Sequence, residues 1–112
     1  MSELVASLEK QLEDSKAVIE QQKLLSKLNE NYEFRKLFVE GFCRDEAARC
    51  VRLSVDVTLD AESRADALGF AQAAGYMMRY MNALHQMGEI AKRDIPRIEE
   101  ALEEARAEEA SE

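Results

Sequence analysis

The first segment of the chain carries a narrow apolar stripe. Between residues 2 and 28, six large aliphatic side chains recur, mostly at intervals of three, four or seven: Leu4, Leu8, Leu12, Ile19, Leu25 and Leu28. This periodicity predicts an amphipathic helix, although Ser15 and Gln22 stand where a strict heptad would have apolar residues. Because so narrow a stripe gains little by folding alone, we expect the helix to pair with another helix of the chain or with a second copy.

A polar break at residues 29–31 follows, and Asn31 is a suitable N-cap for the next helix. Three phenylalanines spaced four apart then form one apolar helical face: Phe34, Phe38 and Phe42. We interpret this face as core, with an exposed peptide-binding groove as the alternative. Gly41 is either a helix C-terminus or a point of close packing.

Residues 51–60 alternate between apolar and polar side chains, a pattern that is typical of a strand. The sequence contains no second strand candidate, and an isolated strand leaves its backbone groups unpaired. We therefore predict a short helix over residues 45–54, capped by Asp45, and an extended connector over residues 55–60. A strand paired across an oligomer is the alternative.

The clearest repeat begins after a helix cap at Thr58 or Asp60. Twelve positions, alternately three and four apart, are all apolar or glycine: Ala67, Phe70, Ala74, Met77, Met81, Leu84, Gly88, Ala91, Ile95, Ile98, Leu102 and Ala105. A sustained repeat of this kind predicts a coiled coil or a long helical hairpin. Its methionines are interpreted as core, since their flexible side chains fill irregular spaces.

Pro96 lies inside this repeat without shifting its phase. Within a helix, proline removes a backbone hydrogen bond and clashes with the carbonyl four residues earlier, so the helix is expected to kink. Alternatively, Asp94 caps a new helix that has Pro96 in its first turn. The pattern leaves both alternatives open.

Together these patterns predict an all-α protein with an N-terminal helix, short aromatic-rich helices and a long C-terminal heptad helix, assembled as a helical hairpin or coiled coil. The predicted divisions are an N-terminal helix over residues 1–28, a helical core over 29–98 and an acidic C-terminal helix or tail over 99–112. Parallel and antiparallel pairing remain open. The residues expected in the interaction seam or core are Leu4, Leu8, Leu12, Phe34, Phe38, Phe42, Met77, Met81, Leu84, Ile95, Ile98 and Leu102.

Charge changes this picture at one end of the chain. The 112 residues carry a net charge of −8. Residues 99–112 hold seven glutamates against Arg106 alone, a net of −6, so residues 1–98 carry only −2. We expect a solvated helix end or a site that docks a basic partner, with these residues as candidates: Glu99, Glu100, Glu103 and Glu104. Acidity of this kind disfavours direct nucleic-acid or membrane binding.

The sequence offers no persuasive catalytic, cofactor or metal site, and we expect a protein that is not an enzyme. Cys43 and Cys50 are seven residues apart, too far along one helix for a disulfide. Because His85 is the only histidine, one chain cannot assemble a usual zinc ligand set. The N-terminus has no signal-peptide pattern and no segment is apolar enough to span a membrane, so a cytosolic location is expected.

Two segments, residues 31–52 and 75–91, resemble a group of small all-helical proteins encoded among the structural and morphogenesis genes of tailed bacteriophages. The group's aromatic motif is matched by Phe34, Leu37, Gly41, Phe42, Cys43, Asp45, Glu46, Ala47 and Arg49. Arg79 and Tyr80 match its later arginine–aromatic element more loosely. The resemblance implies a helix over residues 45–54 and a role in the virion or its assembly.

The leading hypothesis is therefore a phage structural or assembly protein, found in the virion or the cytoplasm of the bacterial host. It would bind other copies of itself and other virion proteins, and need no cofactor. The alternative is a small acidic inhibitor that binds a host protein by mimicking nucleic acid.

Overall fold

The computed structural model describes residues 3–112, and within that range the chain forms three helices and no strand. Helix α1 spans Glu3–Glu30 and helix α3 spans Ala61–Ser111. Helix α2 runs through residues 32–54 in three consecutive parts, α-helical at Tyr32–Phe34, π-helical at Arg35–Glu46 and α-helical at Ala47–Ser54. The all-α prediction and the long C-terminal helix are confirmed, while the predicted helix start at Ser2 lies outside the described residues.

The junction between α1 and α2 is built around Asn31. Its backbone is extended (φ −74°, ψ 119°), and its side-chain Oδ1 accepts a hydrogen bond from the Phe34 amide at 2.7 Å. The Arg35 guanidinium also donates to the carbonyl of Asn29 at 2.7 Å. Asn31 is therefore the N-cap that the sequence predicts, because it satisfies an amide that the first turn of α2 leaves without a partner.

Substituting Asn31 with alanine is expected to lower the free energy of unfolding by about 1 kcal/mol, the usual cost of losing a capping side chain. Asn31→Ser is the matched control, since serine caps about as well as asparagine and should leave stability nearly unchanged. Urea titration followed by circular dichroism at 222 nm measures both. Equal losses in the two variants would contradict a capping role.

Helix α2 corrects the prediction of short aromatic-rich helices. A break at Gly41 and a new start at Asp45 are wrong, because both residues lie inside the π-helical part of one continuous helix. In a π-helix each amide bonds the carbonyl five residues earlier, and a Cβ on Gly41 would lie only 2.9 Å from the carbonyl oxygen of Lys36. Gly41 thus serves close backbone packing, the other role that the sequence suggested.

The connector between α2 and α3 is a series of turns, so the strand alternative for residues 51–60 is wrong within this chain. The Asp56 carboxylate accepts hydrogen bonds from the Thr58 amide at 2.9 Å and the Thr58 hydroxyl at 2.7 Å. Asp60 then caps α3 by accepting from the Ser63 amide at 2.7 Å. Of the two cap candidates, Asp60 is the one used, and hydrogen bonds from Ser63 hold the pKa of its carboxyl below the usual range.

Helix α3 continues through Pro96 for 51 residues without a break. A restart at Asp94 is therefore wrong. Proline removes one backbone hydrogen bond here, yet Ile95 and Ile98 remain half-buried on either side of it. Packing of the repeat is what keeps the helix intact across this position.

The chain divides into two compact units. The first combines α1 up to Leu25 with Leu84–Glu112 of α3. Its core consists of Leu8, Leu102 and Ala105, surrounded by half-buried Val5, Leu12, Ile98 and Ala101. Since the start of α1 meets the end of α3, these two helical segments are antiparallel.

The second unit covers Ser26–Ala83 and contains α2 with the first part of α3. Its most buried residues are small: Cys50, Ala67 and Ala74, each no more than 6% exposed. Two of the three, Ala67 and Ala74, belong to the twelve-position repeat. Small side chains bury little apolar area, so this core contributes modestly to stability.

Candidate functional site

Catalytic groups are scattered rather than gathered. Across residues 3–112, no three His, Cys, Asp or Glu side chains lie close enough together to hold a metal ion. Both cysteines are free thiols, and burial raises the pKa of Cys43. The Cys50 thiol donates to the Glu46 carboxylate at 3.7 Å, while the side chain of His85 is exposed.

The second unit contains an open groove of about 410 Å³ between α2 and α3. Its apolar lining is Phe42, Cys50, Leu53, Ala67 and Phe70, with Glu46, Arg49, Ser63 and Asp66 at the polar positions. Phe42 is the one residue of the predicted phenylalanine face that lines the groove. Phe70, from the twelve-position repeat, also lines it and is 61% exposed.

Ion pairs along α2 hold its polar face in place. Arg49 forms a short two-pronged hydrogen bond with Glu46, which lowers the pKa of the Glu46 carboxyl. In the same way, Arg44 bonds Asp45 at 2.8 Å and lowers the pKa of that carboxyl. Because all four side chains are bound to neighbours on their own helix and remain largely exposed, they form a salt-bridged surface rather than a catalytic pair.

The predicted phenylalanine face is only partly buried. Phe34 and Phe38 stack with ring centroids 5.6 Å apart, but Phe38 remains 45% exposed and Leu37 beside it 69%. Phe34 and Phe42 are half-buried. The interpretation of this face as core is therefore wrong for Phe38, which the described residues of the single chain leave exposed.

The predicted seam residues of the first unit do come together. Leu8 and Leu102 are buried against one another, with Leu12 and Ile98 half-buried around them. Leu4, however, is 58% exposed. Four other predicted positions on α3 are half-buried: Met77, Met81, Leu84 and Ile95.

The acidic end of α3 is helical up to Ser111 rather than an extended tail. Glu99, Glu100, Glu103 and Glu104 are all exposed. Arg106, the one base in this segment, pairs with Glu9 of α1 at 3.0 Å. The four candidate docking carboxylates therefore form a solvent-facing surface on a helix that is packed on its other side.

Gln22 is a buried polar residue at a position where the leucine stripe of α1 predicts an apolar one. Gln22 is only 3% exposed, and its amide nitrogen donates to the His85 carbonyl at 3.0 Å and to Glu89 Oε1 at 2.9 Å. A Cβ on Gly88 would lie 2.6 Å from the Cβ of Gln22. The glutamine of α1 thus occupies the space that glycine leaves on α3.

Fifteen large apolar side chains within residues 3–112 are at least 45% exposed. Ten of them lie between residues 32 and 80, on α2, the connector and the first part of α3: Tyr32, Leu37, Phe38, Val51, Val55, Val57, Leu68, Phe70, Tyr76 and Tyr80. Large exposed apolar patches are typical of surfaces that bind other proteins. The tyrosines and the residues in line with them were missed in the sequence, because alanine and glycine separate them and give a weak apolar signal.

A search for membrane-spanning helices and comparisons with known proteins both gave negative results. No helix among residues 3–112 combines the length and the apolar character needed to cross a bilayer. The chain matches no protein-family model, no curated protein and no solved structure.

Proposed function

We propose that this chain is a non-enzymatic structural or assembly protein that acts by helix-mediated self-association and by binding other proteins. The observation that supports the proposal is the number of large apolar side chains left in solvent, set against the small core. Of the buried apolar residues within 3–112, only Leu8, Leu25 and Leu102 are large. Covering the exposed side chains with a partner would bury apolar area that the single chain cannot cover.

The setting we propose is a tailed bacteriophage, in the virion or during its assembly in the host cytoplasm. This part of the proposal rests on the resemblance of residues 31–52 and 75–91 to the phage protein group. The partners are then other copies of the chain and other virion proteins. The exposed glutamates at the end of α3 would keep the free subunit soluble and offer a surface to a basic partner.

Light scattering after size exclusion, over a hundredfold range of protein concentration, tests self-association. We expect a mass above the 12.7 kDa of one chain, increasing with concentration. The association should persist at high salt, since apolar contacts are not screened whereas surface ion pairs are. A mass that stays at 12.7 kDa throughout, with cooperative unfolding, would refute the proposal.

A further inference from the structure

Helix α3 carries a second apolar stripe, here called the outer stripe. Its seven positions are alternately four and three residues apart: Gly69, Ala73, Tyr76, Tyr80, Ala83, Met87 and Ile90. All seven are exposed, and the four large ones are 46–68% exposed. The next position in either direction is an aspartate, Asp66 before the stripe and Asp94 after it, so the stripe has defined ends.

The outer stripe is distinct from the repeat that the chain buries within itself. Each of its positions follows a member of the buried repeat by two or three residues, which places it about a third of the way around the helix. Ala67, Ala74 and Ala91 of the buried repeat are no more than 6% exposed, whereas Tyr76 and Tyr80 are 68% and 63% exposed. Helix α3 therefore has two apolar faces, and only one is covered.

We propose that the outer stripe packs antiparallel against the outer stripe of a second copy, about a two-fold axis at Tyr80. This inference deepens the proposed self-association and rests on it. In that arrangement large residues oppose small ones along the stripe: Gly69 faces Ile90, Ala73 faces Met87, Tyr76 faces Ala83, and Tyr80 faces its own copy. A parallel pair would instead set every residue against itself, which opposes large side chains at four positions and leaves gaps at the glycine and the two alanines.

Charges beyond the two ends favour the same orientation. Residues 61–68, before the stripe, carry a net charge of −1, and residues 91–98, after it, carry +2. When the spacing of the stripe is continued outward, Glu62 of each copy faces Arg97 of an antiparallel partner, whereas a parallel copy sets each of these charges against its own kind. The two aspartates that end the stripe also face one another in the antiparallel pair, and the one that follows the stripe is neutralised by Arg93 at 3.5 Å.

The large side chains of the outer stripe supply a little over half of the area that a standard dimer interface buries, which suits a weak, concentration-dependent pair. Taking about 200 Å² for a fully exposed large side chain, the four large residues of the outer stripe present roughly 450 Å² per copy. A standard interface buries about 800 Å² per partner. The glycine, the two alanines and the flanking polar residues along about 32 Å of helix supply much of the remainder.

The decisive variant is Tyr80→Glu, because the two-fold axis places both new carboxylates side by side in an apolar contact. We expect the dissociation constant of the pair to increase at least ~100-fold and the mass in light scattering to fall by half, with helicity unchanged. The matched control is Asn82→Glu, at an exposed polar residue of the same helix that lies about 200° around the axis from Tyr80. It should retain the wild-type mass.

Cysteine pairing tests the orientation. In a background with Cys43→Ser and Cys50→Ala, a mixture of the Ala73→Cys and Met87→Cys variants should form a disulfide-linked dimer under mild oxidation by oxidised glutathione. Ala73→Cys alone should not. Cross-linking by Ala73→Cys on its own, to at least the extent seen in the mixture, would show parallel pairing and refute the antiparallel arrangement.

The outcomes separate the two proposals. If the wild-type chain is a monomer, self-association fails and the outer stripe fails with it. If the wild type is oligomeric and Tyr80→Glu retains the full mass, only the outer stripe is refuted. An equal loss of mass in Asn82→Glu would refute it as well, since the effect would not be specific to that face.

Discussion

Replacing Gly88 with alanine should lower the free energy of unfolding by about 1–3 kcal/mol, the usual cost of forcing extra atoms into a packed interior. The added Cβ would lie 2.6 Å from the Cβ of Gln22, so α1 and α3 would have to separate there. That separation would also strain the two hydrogen bonds that hold Gln22. Urea titration followed by circular dichroism, at one fixed protein concentration, measures the change.

The sign of the result is informative because the same substitution normally stabilises a helix. Gly75 lies on α3 with nothing within 4 Å of the position its Cβ would take. Gly75→Ala is therefore the matched control, and it should raise stability by about 0.5–1 kcal/mol. Stabilisation by Gly88→Ala as well would contradict the close contact between α1 and α3.

A second substitution should relieve the first. Removing the glutamine side chain opens the space that the new methyl group needs, so Gln22→Ala/Gly88→Ala should be more stable than the sum of the single effects predicts. The expected coupling is about 1 kcal/mol or more, as for residues in direct contact. Strict additivity would show that the two positions do not touch.

This pair also shows what periodicity can and cannot predict. The sequence identified the leucine stripe and the long repeat, and Leu8, Gly88 and Leu102 lie on faces that are buried. It treated Gln22 as an interruption, because a stripe read on one helix does not reveal which residue stands opposite. Only the pairing of α1 with α3 makes a glutamine and a glycine complementary.

The prediction that the phenylalanine face is buried failed for a related reason. Amphipathicity tells which side of a helix gains by burial, but not whether the same chain has an element left to cover it. Phe38 is therefore 45% exposed although its position is strongly apolar. The absence of a strand at residues 55–60 was predicted correctly by a different argument, since a lone strand would have had no hydrogen-bonding partner. The connector is nevertheless a series of turns and not the extended segment that was expected.

Local geometry limited the prediction of α2. A regular helix has 3.6 residues per turn, and the prediction of α2 from its apolar spacing depends on that period. The π-helical part at Arg35–Glu46 departs from it, and no simple spacing rule signals such a change. The glycine that permits the wide turn, Gly41, was recognised but given a helix-ending role as one of two alternatives.

The acidic end of α3 leads to the second large effect. Deleting residues 99–112 is expected to abolish the pairing of α1 with α3, because it removes Leu102 and Ala105 and leaves Leu8 without its core partners. The loss of a buried leucine side chain alone costs about 2–5 kcal/mol. Reduced helicity in circular dichroism and rapid proteolysis of α1 are the measurements. A truncation therefore cannot separate the role of the charges from that of the core.

Charge neutralisation achieves that separation. Changing Glu99, Glu100, Glu103 and Glu104 to glutamine reduces the net negative charge from −8 to −4. Helicity should be unchanged, because all four side chains are exposed and glutamine has nearly the same helix propensity as glutamate. Leu102→Ala is the converse variant, with the full charge and a damaged core, and it should behave like the deletion.

If the acidic-inhibitor hypothesis is correct, the glutamine variant loses its host partner while remaining folded and self-associated. Loss of helicity in the glutamine variant, or an intact Leu102→Ala variant, would contradict the division of this segment into a charged outer face and a packed inner one.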